Sequence, residues 1–344
     1  MPVRHAELKV TYDTKDVTGE VTPYLISLKY EEYSESKYTD NLNIVFQDKD
    51  GLWISRWFPS RGSELQATIT TKEWFGPGDS RTLDCGRHEI DEVAFKGPGN
   101  TCELGAVAIG AMNPIRREKV SRGWEGITPR KIAGDLAEEN GFELDWRVPG
   151  DGLQMERYDQ SDQSDIECLE DLCEKFGYMF KVRDGKIVVW QQNQTIDGKE
   201  VVIERNRGGY AGHSLRMSSA EQYSKCKVSY QHARQRFLIE CEYDGGREFQ
   251  KDSEERTLKI NANCDCIAEA EEMARAALYE NNKREITGSL TLLGNPEMLA
   301  GRGLILKGFG KFDDALFIID TARHEWSKSG GYKTRIEVRG LLEW

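Results

Sequence analysis

Ser27-Leu28-Lys29, Tyr38 and Leu42-Asn43-Ile44 near the start of the chain read like Ser214-Leu215-Arg216, Tyr223 and Cys226-Lys227-Val228 in its second half. Each set continues to a Pro and an Arg-Gly turn, Pro59-Ser60-Arg61-Gly62 in one case and Pro296 with Arg302-Gly303 in the other. Each closes on an Ile-Asp strand and a last strand: Ile90-Asp91 with Cys102-Glu103-Leu104, and Ile319-Asp320 with Ile336-Glu337-Val338. One reading is a β module duplicated at the two ends of the chain. The other is a chance likeness of two β-rich stretches. Duplication would let three copies of the chain present six similar units.

Around these anchors the hydrophobic period divides the sequence in three. From residue 1 to 114 apolar and polar residues alternate over Tyr24–Tyr30, Leu42–Phe46, Leu65–Thr70 and Glu103–Ile109, with hairpin signals at Asp50-Gly51 and Gly76-Pro77-Gly78-Asp79. A period near two with turn residues between reads as antiparallel sheet. From 115 to 205 the period lengthens. Thr128-Pro129 opens a helix carrying Ile132, Leu136 and Ala137, and Gly141 stops it. Ser164-Asp165-Ile166-Glu167 matches a capping box, and Gly177 ends that second helix. A hairpin turning at Arg183-Asp184-Gly185-Lys186 completes a small α/β unit. From 206 to 344 the β spacing returns, with one long helix at about 266–284. Asp265 is its expected cap, Ile267, Ala270, Ala274, Ala277 and Leu278 its buried face, and Glu269, Glu271, Glu272 and Arg275 its outer side.

Composition narrows the function. The 344 residues carry a net charge of -12, against the clustered cations a dedicated nucleic-acid binder needs to neutralise phosphates. The one basic run, Arg116-Arg117-Glu118-Lys119 to Arg122, reads as a solvated turn or an interface patch. No stretch is apolar and long enough for a membrane span, and Met1–Lys9 lacks a signal-peptide core, so synthesis in a cytoplasm is expected. The eight cysteines include no Cys-x-x-Cys pair and read as buried small side chains, not zinc ligands. His5, His88, His213, His232 and His324 are scattered, and Asp159, Asp162 and Asp165 read as an acidic turn at a helix start, not a calcium loop. No catalytic motif stands out, so neither an enzyme nor a cofactor site is expected. Trp53, Trp57, Trp74, Phe58 and Phe75 crowd the first module as core or as anchors between subunits.

Three blocks then resemble one family in order. Arg122-Gly123-Trp124-Glu125-Gly126-Ile127-Thr128-Pro129 is similar to the Trp-Glu-Gly-Thr segment of the phage late control protein D family. Tyr158 to Asp165 with the following helix and hairpin resembles its next block. Gly288–Leu292, Gly294-Asn295-Pro296, Gly308-Phe309-Gly310 and Phe317–Asp320 with His324 resemble its C-terminal module. The resemblance implies a mainly β fold with an α/β insert: two tandem antiparallel β-barrels of similar topology, a central α/β domain and the one long helix. It also implies a homotrimeric baseplate hub of a contractile phage tail or tail-like particle, assembled in the bacterial cytoplasm, joining a hexameric tube to a trimeric spike and touching other baseplate proteins. No spike repeat follows at Leu341-Leu342-Glu343-Trp344, so a separate spike protein is expected.

On this reading the subunit interface is expected at Leu25, Ser27, Lys29, Leu42, Ile44 and Phe46, at their second-module counterparts Leu215 and Val228, and on the helix at Ile267 and Ala274. The acidic balance suggests a lumen that repels DNA by its field. Two other readings stay open: a type VI secretion hub of the VgrG kind, and a tail-borne module that binds or hydrolyses cell wall.

Overall fold

Alternation of buried and half-buried side chains is strict in β4 (Asn41–Gln47) and β7 (Thr101–Val107), where Leu42, Ile44, Phe46, Cys102, Leu104 and Ala106 all turn to one side. Burying such a side chain is worth roughly 1.5–3 kcal/mol, so the alternation fixes which face of each strand meets the core. The computed structural model describes residues 4–35, 38–109, 113–207, 209–218, 222–231, 238–246 and 256–341. His232 and Leu342-Glu343-Trp344 lie outside them.

The first part supplies β1 (His5–Tyr12), β2 (Lys15–Asp16), a one-turn α1 (Thr18–Val21), β3 (Leu25–Tyr33), β4, β5 (Glu64–Lys72), the long β6 (Ser80–Lys96) and β7. Asp50-Gly51 does not make the expected hairpin. β4 and β5 are not neighbours, and the Asp48 carboxylate accepts the Trp53 and Ile54 N–H groups at 2.9 and 3.1 Å, folding the segment back as a loop. The middle supplies α2 (Pro114–Arg117), β8 (Lys119–Ile127), α3 (Pro129–Glu139), β9 (Glu143–Trp146), β10 (Met155–Ser164), α4 (Asp165–Phe176), β11 (Tyr178–Arg183) and β12 (Lys186–Gln191). The capping box is present at α4: the Ser164 hydroxyl accepts the Glu167 N–H, and Glu167 Oε2 accepts the Ser164 N–H at 2.8 Å. Thr128 precedes α3 without a side-chain cap bond. Arg122 ties the block together, its guanidinium donating to Asp165 at 2.6 Å, to the Gln160 side chain at 2.8 Å and to Glu139.

The last part supplies β13 (Glu200–Glu204), β14 (Tyr210–Met217), β15 (Lys225–Gln231), β16 (Leu238–Asp244), β17 (Thr257–Asn261), α5 (Ile267–Asn282), β18 (Ile286–Leu293), β19 (Gly303–Lys307), β20 (Leu316–Ser327) and β21 (Gly331–Gly340). α5 lies on the separate three-stranded sheet β16-β15-β17, with Ala270, Ala274 and Leu278 packed on Cys226, Val228 and Ile239. Its N-cap is Cys266, without a side-chain cap bond, in place of the expected Asp265. Glu269, expected on the outside, is buried and pairs with Lys175 of α4 at 2.5 Å, whereas Ile267 is 64% exposed. A second neighbour, α4, turns the buried arc of the helix away from the one that its own sheet alone would select.

The mainly β prediction holds, but the strands of the two ends do not form two separately closed barrels. They share one 13-stranded sheet in the order β14-β18-β21-β20-β3-β4-β7-β6-β5-β1-β2, with β13 and β19 joined at β20. Within it the two ends repeat one pairing order, β3-β4-β7-β6-β5-β1 and β14-β18-β21-β20-β19-β13. Register breaks fall at matching places: after Leu25 and after Tyr210, and at Asp91 and at Asp320. The Gly62 N–H donates to Ile90 O and Ile90 N–H returns to Ser63 O. Gly301, Ile319 and Arg302 repeat that exchange, and both glycines hold a left-handed φ of +83° and +82°. The outer strand differs, since β1 runs antiparallel to β5 but β13 runs parallel to β19.

The register corrects the sequence alignment. Ile90-Asp91 and Ile319-Asp320 do correspond, but Ser27 matches Gly212, not Ser214, a shift of two residues that keeps the same face. Leu42-Asn43-Ile44 corresponds to Gly288-Ser289-Leu290, because β18 is the neighbour of β14 and Cys226-Lys227-Val228 belongs to the separate sheet.

Candidate assembly surface

The two similar halves meet where β20 pairs with β3, from Thr321↔Tyr33 to Ser327↔Ser27. On the core side of this joint Leu28, Tyr30, Ala322 and His324 are at most 1% exposed. His324 Nε2 donates to Met298 O at 2.9 Å, so Nδ1 accepts from the Tyr332 hydroxyl at 2.8 Å, and the ring stacks with those of Tyr30 and Tyr332. On the polar side Glu31 takes Lys29 at 2.8 Å and Arg323 across the joint.

Beneath the joint, charges fasten the central unit to the sheet. Glu32 of β3 and Asp40 share Lys181 of β11, with Lys181 Nζ 2.8 Å from Asp40, and Glu32 also accepts from Arg183 and from the Ala300 N–H, both at 3.2 Å. Burial works to raise the Glu32 carboxyl, but the two cations outweigh it and hold it below the usual range. For Asp40 burial wins, and its pKa is raised.

Burial pushes the imidazoles of His324 and His88 down to about 4. An unfolded histidine titrates near 6.5, so between those values the unfolded chain binds protons that the folded chain refuses. Stability is therefore expected to be complete above about pH 6.5 and to fall as pH drops toward 4, by on the order of 3 kcal/mol for each ring. Urea midpoints at about pH 7 and pH 4.5 check this, and an unchanged midpoint would contradict it.

The polar face of the shared sheet runs unbroken across the joint. Lys29, Lys96, Arg216, Arg323, Lys333 and Arg335 alternate there with Glu31, Glu92, Glu103, Glu325 and Glu337. Lys96 pairs with Glu103 as Lys29 does with Glu31. The face is mixed in sign, so the chain's net acidity does not give it the acidic lining expected of a lumen.

No protein-family model matches the chain. The probable baseplate hub protein of Escherichia phage P2 is 27% identical over 205 residues, 57% of this chain and 49% of that protein. The chain thus spans about half the length of this curated relative. The tail protein of Neisseria meningitidis MC58 superposes with a TM-score of 0.72 at 12% identity, covering 97% of this chain and 96% of that one. This chain is similar to phage baseplate hub proteins. An E. coli component of the type VI secretion system, described as structurally similar to the T4 tail proteins gp27 and gp5, has the same fold at a TM-score of 0.58 and 11% identity, over 98% of this chain and 77% of that one.

In this hub-like fold the expected interface residues separate. Leu25, Leu42, Ile44 and Phe46 point into the first module's own core, and Val228 and Ala274 into the core under α5. Alternation placed them on strands and helix correctly but could not say which face met solvent. Ser27 and Lys29 sit on the polar side of the internal joint, Leu215 is half-buried on β14, and Ile267 is exposed. Trp53 is buried on Phe46 with ring centroids 4.1 Å apart, whereas Phe58 is 59% exposed and stacks on Phe95 of β6. The acidic turn is used internally: Asp159 pairs with Arg157 and Asp165 with Arg122. Six cysteines are buried as expected, but Cys241 is half-buried and Cys266 exposed.

Proposed function

We propose that the chain is a structural protein of a phage or tail-like baseplate, a hub whose copies assemble into a trimeric ring between a six-fold tube and a three-fold spike. The observation that carries this reading is the repeated pairing order inside one continuous sheet. A chain with two similar modules lets three copies offer six similar contacts to a hexameric ring, while everything not repeated, including β8–β12, β15–β17 and α5, offers three. The tube ring, a separate spike and neighbouring baseplate proteins are its partners, and the two modules and the central unit take 1–114, 206–344 and 115–205, except that β13 (Glu200–Glu204) at the end of the last range completes the second module. Its work is geometric and non-enzymatic, done in the particle after assembly in the bacterial cytoplasm.

A type VI hub is the second reading, favoured by the fold shared with the E. coli secretion component. Both readings make the same first prediction. Native mass measurement of the purified full chain is expected to give three copies. A stable monomer at micromolar concentration would sink the ring.

A further inference from the structure

Lysine is rarely buried, yet Lys181 is as enclosed as the apolar side chains beside it, and two buried carboxylates meet its amine. The oxygens of those carboxylates are divided among different donors. Asp40 Oδ1 accepts the Tyr33 N–H at 2.9 Å, whereas Oδ2 lies 2.8 Å from Lys181 Nζ. Glu32 Oε1 accepts from Lys181 Nζ and, at 3.2 Å, from Arg183, and its Oε2 accepts the Ala300 N–H at 3.2 Å. Asp40 and Lys181 also share the lining of a cavity of about 20 Å³ with Ile109, Ile166, Phe180 and Val182. A polar cavity of that size holds one water molecule.

This division of donors is what an acyl substitution requires. The Tyr33 N–H stands at the Asp40 oxygen on which charge would develop, the amine stands at the other oxygen, and Glu32 touches the amine as a base. The charges also allow it. If Lys181 passes one proton to Asp40, a neutral amine faces a neutral acid, while Glu32 stays ionised against Arg183 and the Ala300 N–H. A site without bulk water favours such a neutral pair over two buried ions. Burial raises the Asp40 pKa, in the same direction, and for Glu32 burial is outweighed by Lys181 and Arg183. Held in place, the reactants meet at effective concentrations of about 10⁵–10⁸ M.

We propose that Lys181 and Asp40 condense into an intramolecular amide that ties β11 to the segment between β3 and β4, with Glu32 as the proton carrier. Nζ of neutral Lys181 attacks Cγ of protonated Asp40. Glu32 takes one proton from Nζ and returns it to the departing Oδ2 hydroxyl. The Cγ–Oδ2 bond breaks, the Nζ–Cγ bond remains, and one water leaves into the adjoining cavity. Amine and acid give amide and water, so no oxidant, reductant or outside reactant is needed. The three separate side chains seen in the structure are the reactants of this step. After it Glu32 and Arg183 remain as one ion pair, and no charge is stranded. The bond would fasten the central unit to the shared sheet covalently, and it does not depend on the ring reading.

Mass spectrometry of the purified, denatured full chain is the test. The parent is expected to be one water molecule lighter than its sequence requires. Lys181→Arg and Glu32→Gln are expected at full mass once the substitution is allowed for. Arginine keeps the positive charge without a free amine, and glutamine leaves both reactants in place but cannot take the proton. Trypsin is expected to release peptide 38–49 joined to peptide 176–183, since an acylated Lys181 is no longer cut. A parent chain with no water lost relative to Lys181→Arg overturns the bond, and so does a loss that maps to any other pair of peptides. A joined pair in Glu32→Gln overturns the role given to Glu32. Stability alone would not separate the bond from the ion pair, because losing Lys181 removes both, whereas the mass does.

Discussion

Replacing Lys181 by Met is expected to destabilise the folded chain by roughly 3–5 kcal/mol near neutral pH, because removing one partner of a buried ionic group strands the others. Lys181 Nζ is shared by Glu32 and Asp40, which are 2% and 5% exposed. After its loss Glu32 keeps Arg183 and the Ala300 N–H, but Asp40 keeps the Tyr33 N–H at 2.9 Å without a cation. Burial already raises the Asp40 pKa, and without Lys181 the rise is larger. A carboxyl whose folded pKa lies above its unfolded value binds protons on folding, so its stabilising share is present in acid and lost as pH rises. The deficit of the variant relative to the parent is therefore expected to narrow as pH falls toward about 5. Adding Asp40→Asn to Lys181→Met should recover part of the loss at pH 7. Denaturant midpoints of the three proteins at two pH values measure this; a Lys181→Met variant within about 0.5 kcal/mol of the parent would mean that the cluster does not hold the hairpin to the sheet.

Glu32 lies on β3, whose counterpart in the repeat is the free edge β14, and the residue standing in its place there is Met217. Inside the chain a buried charge at this position is met by the central unit. At the outer edge an apolar residue takes it, and no internal cation has to be supplied.

How much of this was legible in the sequence follows from the range of the forces involved. Local signals were read well: the Ser164–Glu167 box, the Asp184-Gly185 turn and the alternation of β4 and β7 depend on residues a few positions apart. The repeat was visible in Ile90-Asp91 and Ile319-Asp320 because a register break needs the same local chemistry in both copies. It was misaligned at Leu42-Asn43-Ile44 because β18, the true counterpart of β4, follows β14 only after the β15–α5 unit, so spacing along the chain misled. The Lys181 cluster was missed altogether, since it joins residues 32, 40 and 181 and leaves no periodic trace.

Gly294 entered the sequence reading only as part of the Gly294-Asn295-Pro296 likeness, and the structure gives it a heavier duty. A Cβ added there would lie 2.0 Å from Cδ1 of Tyr332 and 2.2 Å from Cγ, distances that no side-chain rotation at the glycine relieves. Tyr332 is 1% exposed and belongs to β21, yet its ring packs in the core of the first module, beside Trp74 and His324. It therefore stitches the two halves, and its hydroxyl lies 2.8 Å from Nδ1 of His324, whose neutral form burial favours. Gly294→Ala must displace the ring. Overpacking of about 1–3 kcal/mol, together with about 1 kcal/mol for losing the Tyr332 hydroxyl bond, predicts a total loss of about 2–4 kcal/mol, since the Thr334 hydroxyl stays 3.2 Å from the same His324 nitrogen. Tyr332→Leu alone should also destabilise, by creating a cavity and removing the same hydrogen bond. Combined, the two changes should cost clearly less than their sum, because the smaller side chain frees the space that the new methyl group needs. Simple additivity in a double-mutant cycle would show that the clash is absorbed by backbone movement at the turn, and that Tyr332 is not what requires a glycine at position 294.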